Sequence, residues 1–469
     1  MGKASRLFNG SDGPALIKRV TPTPEQREFL QVQWNALADH LKTELSADYG
    51  YPISTWIQGS YKYGTLIRPV HFGEEYDVDL GIYFEWEEEG NASPAPSQLR
   101  EWVQQELINF KTLEENIEHI EEPPKERCSR VIYTNKFHID TPVYHLEKSS
   151  DTRRLACLSG KWEHSDPKKI YKWFRDAVGS DDTDQLRRLI RYLKGWAAVE
   201  FEKSPDARPS SIVLTVLVVN VFQDSLFSRI VGMDDEDALI MVIKDIHEQL
   251  FTDRRIENPV DSDEDLNRIR EEYWGPFLTG LQTLRDAAEK AEEAEDEASA
   301  ALAWAEVFSF LMPLPETQEV EFVEETSGRA VMQLPEIEIE VYGRNPKRQL
   351  AKHLNAVPVA ATDCDLVFRI TNPHVVPTYA TVEWTVRNDG VESDYLGDLG
   401  HRRIGIRMLE VNERAAYAGL HFMDCVVRLN GQVYSVRRIP VNIRDIQYPP
   451  RNPPKPSYTK IFSTLRRRR

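Results

Sequence analysis

The sequence predicts an α+β fold in three parts: a mixed sheet with helices, a helical lobe, and a β-rich domain towards the C-terminal end. Three observations predict it. Two short alternating apolar runs, Tyr76–Phe84 and Phe137–Tyr144, read as strands among helix-patterned stretches. From Asp166 to Leu250 the pattern is mainly helical. After Pro315 the apolar segments become short, β-branched and separated by turn residues.

Residues 1–21 carry no clear pattern and are expected to form a flexible N-terminus. Thr23-Pro24-Glu25-Gln26 then opens a helix, with threonine as N-cap and proline in the first turn. Phe29, Leu30, Trp34, Leu37, Leu41 and Leu45 give it an apolar stripe. The strands follow, separated by an acidic turn at Glu85–Gly90 and a helix around Gln98–Lys111, and complete a first domain over 22–165. A helical lobe over 166–315 contains the longest apolar run, Ile212–Phe222, where Thr215 and Asn220 favour a buried helix. Asp286–Glu297 holds seven acidic residues against one lysine and reads as a solvated helix face. Pro313 and Pro315 end the lobe. In the β-rich domain, 316–450, strands are expected at Val367–Ile370, Tyr379–Val386, Cys425–Leu429 and Val433–Ile439. Asn388-Asp389-Gly390 and Asn430-Gly431 mark turns, the second a two-residue hairpin signal. The tail, 451–469, has seven basic residues and no acidic ones; it reads as disordered, with a polyanion contact as the alternative.

The 469 residues carry a net charge of −18, which argues against a generic nucleic-acid coat protein. It suits an enzyme with a small basic cleft in an acidic body. Cys128, Cys157, Cys364 and Cys425 stand far apart with no C-x-x-C pair, and read as free thiols of a reducing compartment. No hydrophobic run follows a basic start, and no apolar stretch reaches the roughly 20 residues that span a bilayer. A cytoplasmic protein without a membrane partner is expected.

The chemistry concentrates in Gln58-Gly59-Ser60-Tyr61-Lys62-Tyr63-Gly64-Thr65 and the Asp77-Val78-Asp79 that follows. A Gly-Ser turn leaves its amides and hydroxyl free to hold a phosphate chain. In a strand, residues i and i+2 share a face, so Asp77 and Asp79 point together while Val78, Leu80, Ile82 and Phe84 point into a core. Paired carboxylates on a rigid strand suit Mg²⁺, and two-metal phosphoryl or nucleotidyl transfer usually needs a third from a neighbouring strand. Asp140 in Phe137–Tyr144 is that third carboxylate, on the face opposite Ile139 and Val143.

These motifs resemble the active site of polymerase-beta-type nucleotidyltransferases. More narrowly, they resemble the bacterial cGAS/DncV-like nucleotidyltransferases, or CD-NTases. The likeness lies in G-S-Y-K-Y-G-T, D-V-D and H-I-D, with Asp77 fourteen residues after Tyr63. It extends through Trp162, Ser165-Asp166-Pro167, Trp173-Phe174, Arg191-Tyr192-Leu193-Lys194-Gly195-Trp196 and Arg208-Pro209-Ser210-Ser211, over roughly residues 20 to 315. Glu383–Gly390 and Tyr417–Cys425 are similar to the C-terminal sensor domain called AGS-C.

The resemblance implies a polymerase-beta-like core and synthesis of a cyclic di- or trinucleotide messenger from ATP and/or GTP. Asp77, Asp79 and Asp140 would be catalytic and would bind two Mg²⁺ ions, with Mn²⁺ as an alternative. The nucleotide would be bound by Gln58, Gly59, Ser60, Tyr63, Arg130, Ser165, Lys194 and Ser210 or Ser211. Within that set Tyr63 would stack on a base, Arg130 would contact the acceptor and Lys194 the triphosphate. Arg187 and Arg191 fall on the face of Lys194 by helical spacing. His138 reads as a structural histidine of its strand. The implied pathway is antiphage signalling of the CBASS type, with a product-activated effector and an activating or conjugating regulatory protein as partners; a nucleic-acid partner is left open. Rival readings are transfer to another acceptor (a small molecule, a protein or a tRNA), a linear oligonucleotide synthase, and a non-catalytic nucleotide sensor.

Overall fold

Two five-residue helices open the chain, α1 (Ser5–Asn9) and α2 (Leu16–Val20). This corrects the expectation of a flexible N-terminus. The ring of Phe8 is fully buried and packs edge-to-face on Tyr192, Trp304 and Phe308, while the Ala4 amide donates to Glu236. Tertiary burial, not helix periodicity, orders this segment. The computed structural model describes residues 2–87, 93–134, 136–177, 183–225, 232–314, 334–344 and 347–446. The region after Pro315 that joins the lobe to the β-rich domain, the end of the acidic turn and the basic tail lie outside them.

The helix expected at Thr23-Pro24 is α3 (Pro24–Tyr49). Thr23 and Gln26 form a reciprocal capping box, and Leu30, Leu37, Leu41 and Leu45 are buried along one side. Next come β1 (Ile53–Gln58), the single-turn α4 (Gly59–Tyr63), β2 (Tyr76–Glu85), α5 (Pro96–Lys111), β3 (Ile117–Ile120), β4 (Cys128–Tyr133) and β5 (Phe137–Glu147). They form a sheet of order β1-β2-β5-β4-β3, extended from β5 by β6 (Thr152–Ala156) and β7 (Trp162–His164). β2 and β5 run parallel; β1 with β2, and β4 with β5, run antiparallel. On the α3/α5 face, Val78, Leu80, Ile82 and Phe84 of β2 and Ile139 and Val143 of β5 are buried, so the opposite face holds the aspartates.

The helical lobe comprises α6 (Pro167–Asp176), α7 (Thr183–Glu200), α8 (Ser211–Ser225), α9 (Asp235–Thr252), the small hairpin β8 (Glu257–Asn258) and β9 (Asp261–Asp265), α10 (Glu271–Glu292) and α11 (Glu297–Phe308). The apolar run Ile212–Phe222 is the middle of α8, with Val216–Val219 fully buried. The acidic stretch from Asp286 lies on α10 and the turn after it; Ala287, Ala288 and Ala291 face inward.

Contacts divide the chain into two units, residues 1–320 with Asp394–Arg402, and 321–393 with 403–469. The second is strand-rich. One sheet has order β11-β10-β13-β16, from β10 (Ile337–Arg344), β11 (Lys347–Leu354), β13 (Asp365–Ile370) and β16 (Glu410–Arg414). The other has order β12-β18-β17-β14-β15, from β12 (Val357–Ala361), β14 (Thr381–Arg387), β15 (Gly400–Ile406), β17 (Gly419–Leu429) and β18 (Gln432–Arg444). Asn430 and Gly431 join β17 to β18 with φ of 53° and 81°, the two positive values that a type I′ turn requires.

One buried cation in the first unit ties helix to loop. Arg100 on α5 is 1 % exposed and donates to the carbonyls of Glu126 (2.7 Å), Lys125 (2.8 Å) and Ala156 (3.4 Å). Replacing it would strand those carbonyls away from water. Arg100→Leu should therefore lower stability by about 2–4 kcal/mol, read as a lower urea midpoint at unchanged slope. A midpoint equal to wild type would show that the loop finds other donors.

Candidate active site

Four strands bring one rung of side chains together. In the pairing register Gln58 of β1 lies opposite Asp79 of β2, Asp79 opposite Asp140 of β5, and Asp140 opposite Arg130 of β4. Paired residues share a sheet face and neighbouring strands lie about 4.8 Å apart, so two carboxylates from distant sequence are held side by side. Asp77 is one rung on, opposite His138. Ligand atoms of Asp77, His138 and Asp140 lie within 4.8 Å of one another.

The turn above this rung needs glycine for a reason beyond flexibility. Gly59 has φ of 60°, and a Cβ there would stand 2.1 Å from Oδ2 of Asp79. The carboxylate thus occupies the space a side chain would take, directly beneath the first turn of α4. Gly81 plays a similar part for Gln58, whose Nε2 would meet a Cβ at 2.0 Å. Gln58 is buried, accepts from the Tyr144 hydroxyl at 3.3 Å, and leaves Nε2 without a partner among the described residues.

Charge crowding dominates the site. Burial, then the charges of Asp77 and Asp140, push Asp79 up to about 8. Burial also opposes ionisation of Asp77, but the hydrogen bond and charge of His138, with Arg130, outweigh it and hold Asp77 below its ordinary value. His138 bridges Asp77 and Glu75, each at 2.9 Å; burial lowers its pKa, and these carboxylates more than restore it. Arg130 grips Asp140 through two hydrogen bonds, of 2.5 and 2.8 Å, and Lys125 approaches the same carboxylate at 3.9 Å. The arginine expected at the acceptor nucleotide is thus engaged with the third carboxylate.

A cleft of about 280 Å³ lies beside this rung, lined among others by Ser60, Asp77, Lys194, Arg208 and Ser211. Lys194 is buried, with Nζ 3.2 Å from the Thr65 carbonyl oxygen and 3.3 Å from its hydroxyl. Burial, then Arg191, depress its pKa to about 7, partly offset by Asp77 and Asp79. Of the two candidate serines, Ser211 lines this cleft and Ser210 lines a separate small cavity with Trp274 and Ile256. Ser165 is hydrogen-bonded to the Tyr144 hydroxyl. Tyr63 differs most from expectation: it is 5 % exposed, with its ring nearly parallel to Phe174 (5.1 Å) and Tyr171 (5.8 Å). That packing leaves little ring surface for a base. Arg187 and Arg191 turn away from the cleft to donate to the carbonyls of Tyr63 and Gly64. Glu75, Glu74 and Lys125 were not anticipated; Glu75, two residues before Asp77 on the same strand path, carried the alternation signal that would have found it.

Residues 53–144 match the family described as cyclic GMP-AMP synthase DncV-like, nucleotidyltransferase domain. Residues 316–444 match the adenylyl/guanylyl and SMODS C-terminal sensor domain. The chain thus carries a DncV-like nucleotidyltransferase domain over residues 53–144 and a sensor domain of that C-terminal family over residues 316–444. It is 25 % identical over 416 residues to a cyclic GMP-AMP synthase of Escherichia albertii, covering 87 % of this chain and 89 % of that protein. It is 25 % identical over 306 residues to a c-di-GMP synthase of Roseivirga ehrenbergii, covering 57 % and 76 %. The fold is shared with the Vibrio cholerae DncV cyclic AMP-GMP synthase solved with the linear intermediate 5′ pppA(3′,5′)pG. There the TM-score is 0.53 and the identity 21 %, over 66 % of this chain and 96 % of that one. DncV-like nucleotidyltransferases use a divalent metal, and this donor set fits one: three carboxylates and an imidazole crowd until Asp79 resists ionising.

The crowding has a measurable consequence. A carboxyl whose native pKa exceeds its unfolded value stabilises only while protonated, fully below pH ~4 and progressively less as pH rises through about 8. In EDTA, Asp79→Asn should therefore melt above wild type at pH 8, and the gap should shrink towards pH 4. Equal melting temperatures at pH 8 would exclude the repulsion.

Proposed function

We propose that this nucleotidyltransferase joins ATP and/or GTP into a cyclic di- or trinucleotide, expelling pyrophosphate as each bond forms. The observation that carries the reading is the rung that sets Asp79 beside Asp140 beneath the Gly59–Ser60 turn, in a chain whose relatives include a cyclic GMP-AMP synthase and a c-di-GMP synthase.

Asp77, Asp79 and Asp140 would hold Mg²⁺, two ions in the usual arrangement, with Mn²⁺ as the alternative. Bound there, the metal supplies Lewis-acid activation of the attacking ribose hydroxyl and neutralises charge on the leaving oxygens. The chain's own groups bind and orient. The Ser60 hydroxyl and the Gly59–Ser60 amides take the β- and γ-phosphates. Lys194 faces the same cleft as a point charge for the triphosphate, which favours its charged form. Ser211, at the start of α8, lines the wall beyond it and adds a hydroxyl. Arg130 fixes the Asp140 carboxylate through its paired hydrogen bonds, and His138 keeps Asp77 ionised. Tyr63, packed on Phe174 and Tyr171, stiffens the end of α4. In this reading the cyclic product activates a separate effector in antiphage signalling of the CBASS type in the cytoplasm. The C-terminal domain, or a partner bound to it, regulates the rate. That pathway rests on the family resemblance.

Incubation with ATP, GTP and Mg²⁺ should yield a phosphatase-resistant product whose mass is that of a cyclic dinucleotide or trinucleotide. The Asp77→Ala/Asp79→Ala protein should lose roughly 10³-fold or more of the rate while staying folded. A linear product, or label found only on an added acceptor, would replace the cyclic reading; a rate within tenfold of wild type in the double variant would remove the carboxylate assignment.

Lys194 makes a separate prediction. With its pKa near 7 in the free enzyme, its charge is present below that pH and lost above it. The KM for ATP and for GTP should rise together as pH increases through about 7. Lys194→Met should raise both KM values by a similar factor and flatten the profile. An effect confined to one nucleotide would contradict a point charge.

A further inference from the structure

The cleft beside the aspartates is lined by charges of both signs, and most of them are already engaged within the chain. Arg68 pairs with Asp394 at 2.8 Å, and Glu75 and Asp77 share His138. Two lining cations remain, Lys194 and Arg208, on the cleft that Ser60 and Ser211 also line. Burial, then Arg191, depress the pKa of Lys194, and the charge of Arg208 adds to the effect, so these two cations repel one another. An anion reaching both would relieve that repulsion.

Arg208 is held by a single side-chain contact. Its Nη1 donates to Oε1 of Glu74 at 3.1 Å, and Nε and Nη2 are unpaired among the described residues. The arginine side chain is 36 % exposed and the glutamate 32 %, so water competes for both and the pair holds weakly. The two partners are not equally free. Oε2 of Glu74 accepts from the amides of Val70 (2.9 Å) and His71 (3.3 Å), and His71 donates from Nε2 to the Ala198 carbonyl of α7. Glu74 is therefore fixed. The Arg208 backbone is fixed too, between the turn Pro205–Ala207 and Pro209, but its side chain is long. The guanidinium, not the carboxylate, is the part that can move.

We propose that Arg208 is a second phosphate-binding residue for the substrate triphosphate and that Glu74 competes for it, holding the guanidinium while the cleft is empty and reclaiming it when pyrophosphate leaves. A phosphate chain offers the guanidinium a charge-assisted, two-pronged contact in place of the half-solvated one it gives up. Lys194, in the same cleft, supplies a point charge to the same chain. Glu74 thereby loosens the grip on nucleotide and product alike. Binding shared equally by substrate and transition state adds nothing to kcat, so loosening it takes little from the chemistry and speeds product release. The assignment rests on the nucleotidyltransferase reading, because it gives the cleft to a triphosphate.

The test is calorimetric titration of the full-length protein with the Mg²⁺ complex of a non-hydrolysable ATP analogue and, separately, with magnesium pyrophosphate. Glu74→Gln keeps an oxygen for the Val70 and His71 amides but loses the charge, and should bind both ligands roughly threefold or more tightly. Arg208→Gln should bind both roughly tenfold or more weakly. Arg208→Lys, which keeps a charge without the fork, should fall between wild type and Arg208→Gln. The double variant Glu74→Gln/Arg208→Gln should match Arg208→Gln alone, because Glu74 acts through that guanidinium. In turnover, Glu74→Gln should lower KM and strengthen inhibition by pyrophosphate. No binding by the wild type removes the nucleotide reading, and this assignment with it. Wild-type binding that Arg208→Gln leaves unchanged removes the phosphate role of Arg208 alone. Absence of any gain in Glu74→Gln overturns the competition. So does a gain that persists in the Arg208→Gln background, which would show plain repulsion of the ligand by Glu74.

Discussion

Parallel pairing between β2 and β5 is the constraint on which the site depends. A parallel pair must be joined by a long crossover, here through α5, β3 and β4, so the two carboxylates arrive from sixty residues apart and meet only because the register is right. A one-residue slip in either strand would turn its carboxylate into the apolar layer and an isoleucine or valine out of it. The buried Val78, Leu80, Ile82, Ile139 and Val143 forbid that slip. The same apolar contacts that hold the sheet on α3 and α5 therefore hold the geometry of the aspartates on its other face. Stability and chemistry share one register.

The opposite face shows what that precision costs. Three carboxylates brought this close cannot all ionise easily, and the chain answers with cations graded by distance: Arg130 in direct contact with Asp140, His138 on Asp77, Lys125 further out and Lys194 across the cleft. Asp79, in the middle and without a direct basic partner among the described residues, takes the strain. That arrangement has a place for added positive charge, which is the physical content of calling it a metal site.

Much of this was legible in the sequence because its signals were local. Thr23-Pro24 capped a helix, alternation marked β2 and β5, and Asn430-Gly431 turned a hairpin. Misses came where contacts between distant residues decided the outcome. Residues 5–9 and 16–20 are too short to show a period and are ordered by the burial of Phe8 and Leu16. β11, Lys347–Leu354, is polar along much of its length and carried no strand-core signal. Helical spacing put Arg187, Arg191 and Lys194 on one side of α7, yet it had no means of telling that the first two would hold the chain behind α4. Nor did the type of residue 63 reveal that Phe174 and Tyr171 would cover its ring.

The contact between Gly59 and Asp79 reaches beyond this molecule. Two residues twenty apart in sequence exclude each other's atoms, so their identities are not free to drift separately. A lineage that lost the aspartate would gain an empty space under the turn. The left-handed backbone at position 59 would then accept asparagine, the side chain that tolerates it best after glycine. Paired drift at these two positions would thus record, in sequences whose structures have never been determined, the point at which such a chain stopped catalysing and kept only its fold.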